Sequence, residues 1–207
     1  MNRSFSRFTI ASAVAACTVL GACAKKGDVA VSDTTAAPAS ADTMASAGSL
    51  ATPKNDWTDA QILAFASAAN QGEIAEGKLA QSKATNPAVK KLAALMVADH
   101  TKMDADGKAL ATKISITPDA SKSDVTDLQQ DAQNALQALP ATPAGPASDE
   151  DYMAKQVDTH QKVLDKLNDA VQSAKSPDLK NAVNESIAKV QGHLTQAKAI
   201  KDNTLKS

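Results

Sequence analysis

Four stretches of the chain repeat apolar residues every three to four positions, the spacing of one helix face. In the first, Ile62, Phe65, Ala66, Ala69, Ala80 and Ala84 share a face, Thr58 or Asp59 supplies an N-cap, and the pattern runs to about Thr85. Asn86-Pro87 stops it and opens a second helix carrying Val89, Leu92, Ala93, Met96, Met103, Leu110 and Ile114. A third begins near Ser148-Asp149 with Met153, Val157, Leu164, Leu167 and Val171 inward, and Ser176-Pro177 opens a fourth with Leu179, Ala182, Ile187, Val190, Ala197 and Ile200. The two tight corners make two helical hairpins. Between them lie about 35 residues, with a weak amphipathic piece around Val125 to Leu139 and then the breaker cluster "PATPAGPASD". The pattern predicts an all-α fold, a ferritin-like four-helix bundle of two helical hairpins joined by a long crossover.

The chain ahead of the first helix divides in two. Arg3 and Arg7 precede an apolar run from about Phe8 to Val19, and the first acid is Asp28. That is the order of a secretory signal, and the run is short for a membrane span. It ends in Leu20-Gly21-Ala22-Cys23, which resembles the lipobox of bacterial lipoproteins, where the Cys is lipidated and becomes the mature N-terminus. Residues 1–22 are therefore expected to be a lipoprotein signal peptide, and residues 23–56 a lipidated Cys23 followed by a disordered linker of mostly Ala, Ser, Thr, Asp and Gly. So little branched or aromatic surface does not offset the entropy of ordering a chain. Residues 57–207 form the bundle. Several acyl chains on Cys23 anchor a protein to a membrane, which places this one in the bacterial cell envelope. Ala24 after the Cys, rather than Asp, favours the outer membrane, facing the periplasm, by resemblance to the sorting habit of enteric lipoproteins.

Composition removes several function classes. The formal net charge of −1 becomes −3 once Arg3 and Arg7 are cleaved, leaving no basic face for nucleic acid. Trp57, Phe65 and Tyr152 are the only mature aromatics, too few for base stacking. Cys17 lies in the signal, so Cys23 remains alone, with no internal disulfide, no CxxC metal pair and no Cys nucleophile. There is no Gly-rich phosphate loop and no GxSxG elbow.

The histidines are the residues the pattern does not absorb. At about 100° per residue, His100 falls in the same stripe as Val89, Ala93, Met96, Gly107 and Ala111, and His160 is bracketed by Met153, Leu164, Leu167 and Val171. His193 sits nearer the edge of its stripe, beside Ala182, Ser186 and Ile200, and Glu73 lies between Ile62, Ala66, Ala69 and Ala80 with Glu76 on the same face. Glu73 and His100 are each about 13 to 14 residues from the Asn86-Pro87 corner, and His160 and His193 about 15 to 18 from Ser176-Pro177. With a crossover as long as the bundle, all four converge to within about one turn. Buried imidazoles and a buried carboxylate are costly unless paired or ligated. Glu73, His100, His160 and His193 therefore suit one divalent transition metal, zinc, iron or copper. The alternative is a buried hydrogen-bonded network completed by Asn70, Asp104 or Gln156.

The segments "NQGEIAEGKLAQSKATNPAVKKLAALMVADHTKMDADGKALA", "DYMAKQVDTHQKVLDKLNDAV" and "SPDLKNAVNESIAKVQGHLTQAKAI" resemble a bacterial family of exported helical bundles, described as a domain of unknown function or outer membrane protein. The likeness spans about Asp59 to Ile200 and rests on the Glu73 segment, the Asp99-His100 pair, His160 and the His193-Leu194 pair. It implies a ferritin-like fold and export, without an activity. Di-iron members of the ferritin-like class use Glu-x-x-His on two helices, whereas here Val97 and Val190 stand three residues before His100 and His193. A metal site here is mononuclear. The expectation is a lipid-anchored, non-catalytic binding or structural module that holds one metal ion or engages an envelope protein partner. A metal-dependent oxidoreductase or metal-handling protein on the same four residues, and a purely structural or stress-protective bundle, are the alternatives.

Overall fold

Each helix start follows from its local sequence. Thr58 and Gln61 form a capping box, each side chain accepting from the other's backbone N–H at 3.2 Å, and begin α1 (Asp59–Lys83). Asn86 Oδ1 accepts from Ala88 N at 2.9 Å, and Pro87 opens α2 (Pro87–Lys113). The crossover holds α3 (Ser123–Ala141), after which Gly145, at a φ of 150°, turns the chain into α4 (Pro146–Ser173). Ser176 Oγ accepts from Leu179 N at 3.3 Å at the head of α5 (Pro177–Asn203). Pro thus sits first in α2, α4 and α5, where its missing N–H costs nothing. This computed structural model describes residues 56–203, which include five helices and no strand. The expected signal segment, Cys23 and the expected linker up to residue 55 lie outside the described residues. No described helix is long and apolar enough to cross a membrane.

Two apolar clusters set the helix directions. One joins the start of α1 (Ile62, Phe65) to the end of α4 (Leu164, Leu167, Val171) and the start of α5 (Leu179, Val183). The other joins the end of α1 (Ala80, Ala84), the start of α2 (Val89, Met96), the start of α4 (Tyr152, Met153) and Ala197 near the end of α5. α1 therefore runs antiparallel to α2 and α4, α5 antiparallel to α2 and α4, and the crossover returns the length of the bundle. Between the clusters lies a buried polar layer that includes Asn70, Glu73, Glu76, His100, Gln156, His160 and His193.

The expectation of four helices is corrected to five, because the weak piece in the crossover is a full helix. Val125, Leu128, Ala135 and Leu139 are its buried residues, spaced as a stripe, and they cover α1. The cue lay in α1 itself. Its "ILAFASAA" is apolar on every side, and Ile62 to Phe65 are all buried, which takes partners on three sides. Gly72 permits the approach, since a Cβ there would lie 3.0 Å from Ala132 Cβ. Lys83 Nζ then satisfies the last carbonyls of α3, donating to Leu139 O at 2.7 Å, Pro140 O at 2.9 Å and Thr142 O. The α4 start likewise moves a few residues earlier than Ser148-Asp149, into the breaker cluster at Pro146.

Two acids fix the heights of the hairpins. Asp149, in the first turn of α4, accepts from Thr85 N at 3.1 Å, Thr85 Oγ1 at 2.8 Å and Asn86 N at 2.8 Å, at the corner between α1 and α2. Asp59, first in α1, accepts from Lys175 N at 2.8 Å and Ser176 N at 2.9 Å at the corner between α4 and α5. Each hairpin corner is thereby tied to the other hairpin, and the mid-height residues of all four long helices are brought level.

Candidate metal centre

His100, His160 and His193 come from the middles of α2, α4 and α5 and are 2, 1 and 1% exposed. Their ring centroids are 5.6 Å apart for His100 and His160, 5.2 Å for His100 and His193, and 5.5 Å for His160 and His193. One ring nitrogen from each lies within 4.8 Å of the other two.

The outer partners decide which nitrogens are bare. Nδ1 of His100 donates to Asn70 Oδ1 at 2.9 Å, and Nδ1 of His160 donates to the backbone carbonyl of Gln156 at 3.0 Å. Nε2 of His193 donates to Asp99 Oδ2 at 2.8 Å. A neutral imidazole has one N–H, so the lone pairs fall on His100 Nε2, His160 Nε2 and His193 Nδ1. These three buried nitrogens have no hydrogen-bond partner among the described residues. Second-side bonds to an amide, a carbonyl and a carboxylate are the supports that ligating histidines use.

Electrostatics keep the rings neutral. Burial, reinforced by the charges that His160 and His193 would carry, pushes His100 down to about 2, and burial pushes His160 down to about 4. His193 is lowered too, mainly by burial, despite the opposing hydrogen bond to Asp99. Burial opposes ionisation of Asp99, yet the His193 hydrogen bond and the nearby Lys189 outweigh it and hold Asp99 below the usual carboxylate value. At neutral pH the layer thus offers three lone pairs and one outer carboxylate.

Glu73 is buried at 3% exposure as the pattern implied, and it stands beside the three converging histidines rather than among them. Its Oε1 is 3.6 Å from Nδ1 of His160, the outer nitrogen of that ring, and the cluster of converging donors is the three histidines. Nor is that contact an ion pair, since burial raises Glu73 to about 7 while His160 is lowered, leaving both neutral between about pH 4 and 7. Helical phase placed Glu73 inward without specifying which side of His160 it would meet. Glu76, at 1% exposure, completes a second polar group with Gln156, whose Nε2 lies 3.5 Å from Glu76 Oε2. Burial and the neighbouring Glu73 push Glu76 up to about 8. Of the residues expected to complete a network, Asn70 and Gln156 join the layer, whereas Asp104 bonds Ser67 and Lys108 instead. Asp99 escaped the sequence reading as a site residue, because its partner His193 is on another helix.

An all-helical bundle with three histidines converging in its core is the class that fold and site define. The chain belongs to a domain family of unknown function, DUF4142, whose sequence profile matches residues 39–200. No curated protein and no solved structure matches it.

Proposed function

We propose that the chain is an envelope-anchored lipoprotein whose bundle, of ferritin-like connectivity, holds one divalent transition-metal ion through His100 Nε2, His160 Nε2 and His193 Nδ1. The observation that carries this reading is the set of three bare, buried nitrogens aimed at one point. A hydrogen-bonded network alone does not account for them. Every ring N–H points outward to Asn70, Gln156 or Asp99, so no ring has a proton to give its neighbours, and each unsatisfied acceptor costs about 1–3 kcal/mol. An ion at about 2.0–2.1 Å from each nitrogen satisfies all three with inward shifts of less than about 1 Å. Imidazole donors suit zinc, copper or iron. The role is binding; redox cycling of the bound ion would instead support a metal-dependent oxidoreductase.

Elemental analysis of the full chain, purified without a histidine tag, tests the site. About one ion per chain is expected, and none in the His100→Ala/His160→Ala variant. Metal in neither protein after reconstitution, or equally in both, rejects the site. The tether rests on Leu20-Gly21-Ala22-Cys23 and is tested by labelling with a fatty-acid analogue, which Cys23→Ala should abolish together with membrane retention.

A further inference from the structure

A cleft of about 770 Å³ opens between the C-terminal half of α2, the N-terminal half of α5 and α1. Its origin is legible in the heptads. Seven residues beyond His100 on α2 stands Gly107, and seven before His193 on α5 stands Ser186. Because the two helices are antiparallel, both steps lead the same way, about 10 Å from the histidines. Where a continuous core would seat two large apolar side chains, the chain has a hydrogen and a hydroxymethyl group. A Cβ on Gly107 would meet nothing within 4 Å.

Asn70 and Asp99 line the cleft, and these are the residues that hold His100 and His193. Asp104 and Asp106 also line it together with their ion-pair partners Lys108 and Lys102, so the way in passes carboxylates that lysines already hold and that a divalent cation would have to win from them. Asp99 faces both directions, with Oδ2 at 2.8 Å from His193 Nε2 and 3.4 Å from Nζ of the half-exposed Lys189. On the opposite side, under α3, the cavity lined by Glu73 and Glu76 measures about 10 Å³, room for a single water but not a hydrated cation.

We propose that this cleft is the entrance by which a divalent cation reaches the three histidines, passing between Asn70 and Asp99, with the Asp99 carboxylate as its last oxygen partner. The proposal rests on the metal reading above. An arriving cation takes the place of Lys189 at Asp99, then moves inward as His193 and His100 turn to receive it.

The test separates route from site. The full chain is loaded with zinc ion alone, and loading and release into excess chelator are followed by stopped-flow. Gly107→Trp fills the cleft from a position with space for a side chain, and Gly107→Ala repeats the helix effect without filling it. A blocked route slows both directions alike, so Gly107→Trp is expected to load and release zinc about tenfold or more slowly, with the dissociation constant unchanged and Gly107→Ala behaving as the parent. Ser186→Trp, from the facing helix, should do the same and stands in if Gly107→Trp does not fold. Parent-like exchange in a folded, plugged variant overturns the entrance while leaving the histidine site intact. Failure of the parent to bind zinc at all overturns the metal reading, and the entrance with it.

Discussion

At the scale of the residue, the polar layer sets two kinds of titration against each other. The histidines are lowered and the carboxyls raised by the same burial, because each prefers to be neutral there. Glu76 makes the carboxyl effect measurable on a side chain outside the histidine cluster. Its folded value is about 8 against 4.5 for an ordinary carboxyl, so the folded chain keeps a proton that the unfolded chain has lost. Stability from this group is therefore intact below about pH 4.5 and falls as pH rises toward 8. Glu76→Gln removes that loss while keeping an acceptor toward Gln156. Denaturant midpoints of the metal-free chain should show the variant more stable than the parent at pH 8, by on the order of 4 kcal/mol, and close to it at pH 4.5. An equal gain at both values would assign the effect to packing. At this scale the sequence located the three histidines and Glu73 in the interior, with Glu76 further round the same face, since helical phase alone decides that. It did not give which donors converge, because whether Glu73 meets the inner or outer nitrogen of His160 depends on the lateral packing of α1 against α4.

At the scale of the element, capping acids carry more than their own helices. Asp149 is 1% exposed and accepts three hydrogen bonds from the corner residues Thr85 and Asn86. Asp149→Ala takes away the shared acceptor of these part-buried donors and unties the corner from α4. Hydrogen bonds to charged groups contribute about 1.5–3 kcal/mol, and an orphaned donor adds its own desolvation cost. A loss of roughly 2–4 kcal/mol is expected in denaturant unfolding, against about 1 kcal/mol for an ordinary N-cap. A loss no larger than that of an ordinary cap would mean the corner is held by chain connectivity alone. Asp149 was legible as a helix start but not as a tie between hairpins, a relation between residues 64 positions apart. α3 was underread for a related reason. Its stripe is sparse, and what makes it a helix in place is the apolar outer side of α1, which single-helix periodicity does not connect to a segment some 60 residues away.

At the scale of the whole molecule, an ion bound to the three histidines would join parts that no short-range signal joins. His100 belongs to the first hairpin, while His160 and His193 belong to the second, so the coordination bonds span the boundary between them. The two apolar clusters flank this layer, and without a ligand the middle of the core carries bare acceptors and neutral carboxyls instead of packed side chains. Unfolding would disperse the three histidines, so a metal held by them would bind the folded chain in preference to the unfolded one. The stabilisation then grows with free metal as RT ln(1 + [M]/Kd), about 2.7 kcal/mol at a hundred times Kd. For a bundle of this size that raises Tm by roughly 5–10 °C, and each further tenfold in zinc adds roughly 3–5 °C. His193→Ala, which removes one ligand and frees Asp99, should flatten the dependence, and His100→Ala/His160→Ala should abolish it. Asp99→Asn keeps the bond to His193 Nε2 with a weaker acceptor, so the logarithmic rise should persist, displaced to higher zinc. Thermal scans of the full chain across a zinc series read all four behaviours. A parent Tm that does not move with zinc, in a chain that holds zinc stoichiometrically, would place the ion somewhere other than between the hairpins.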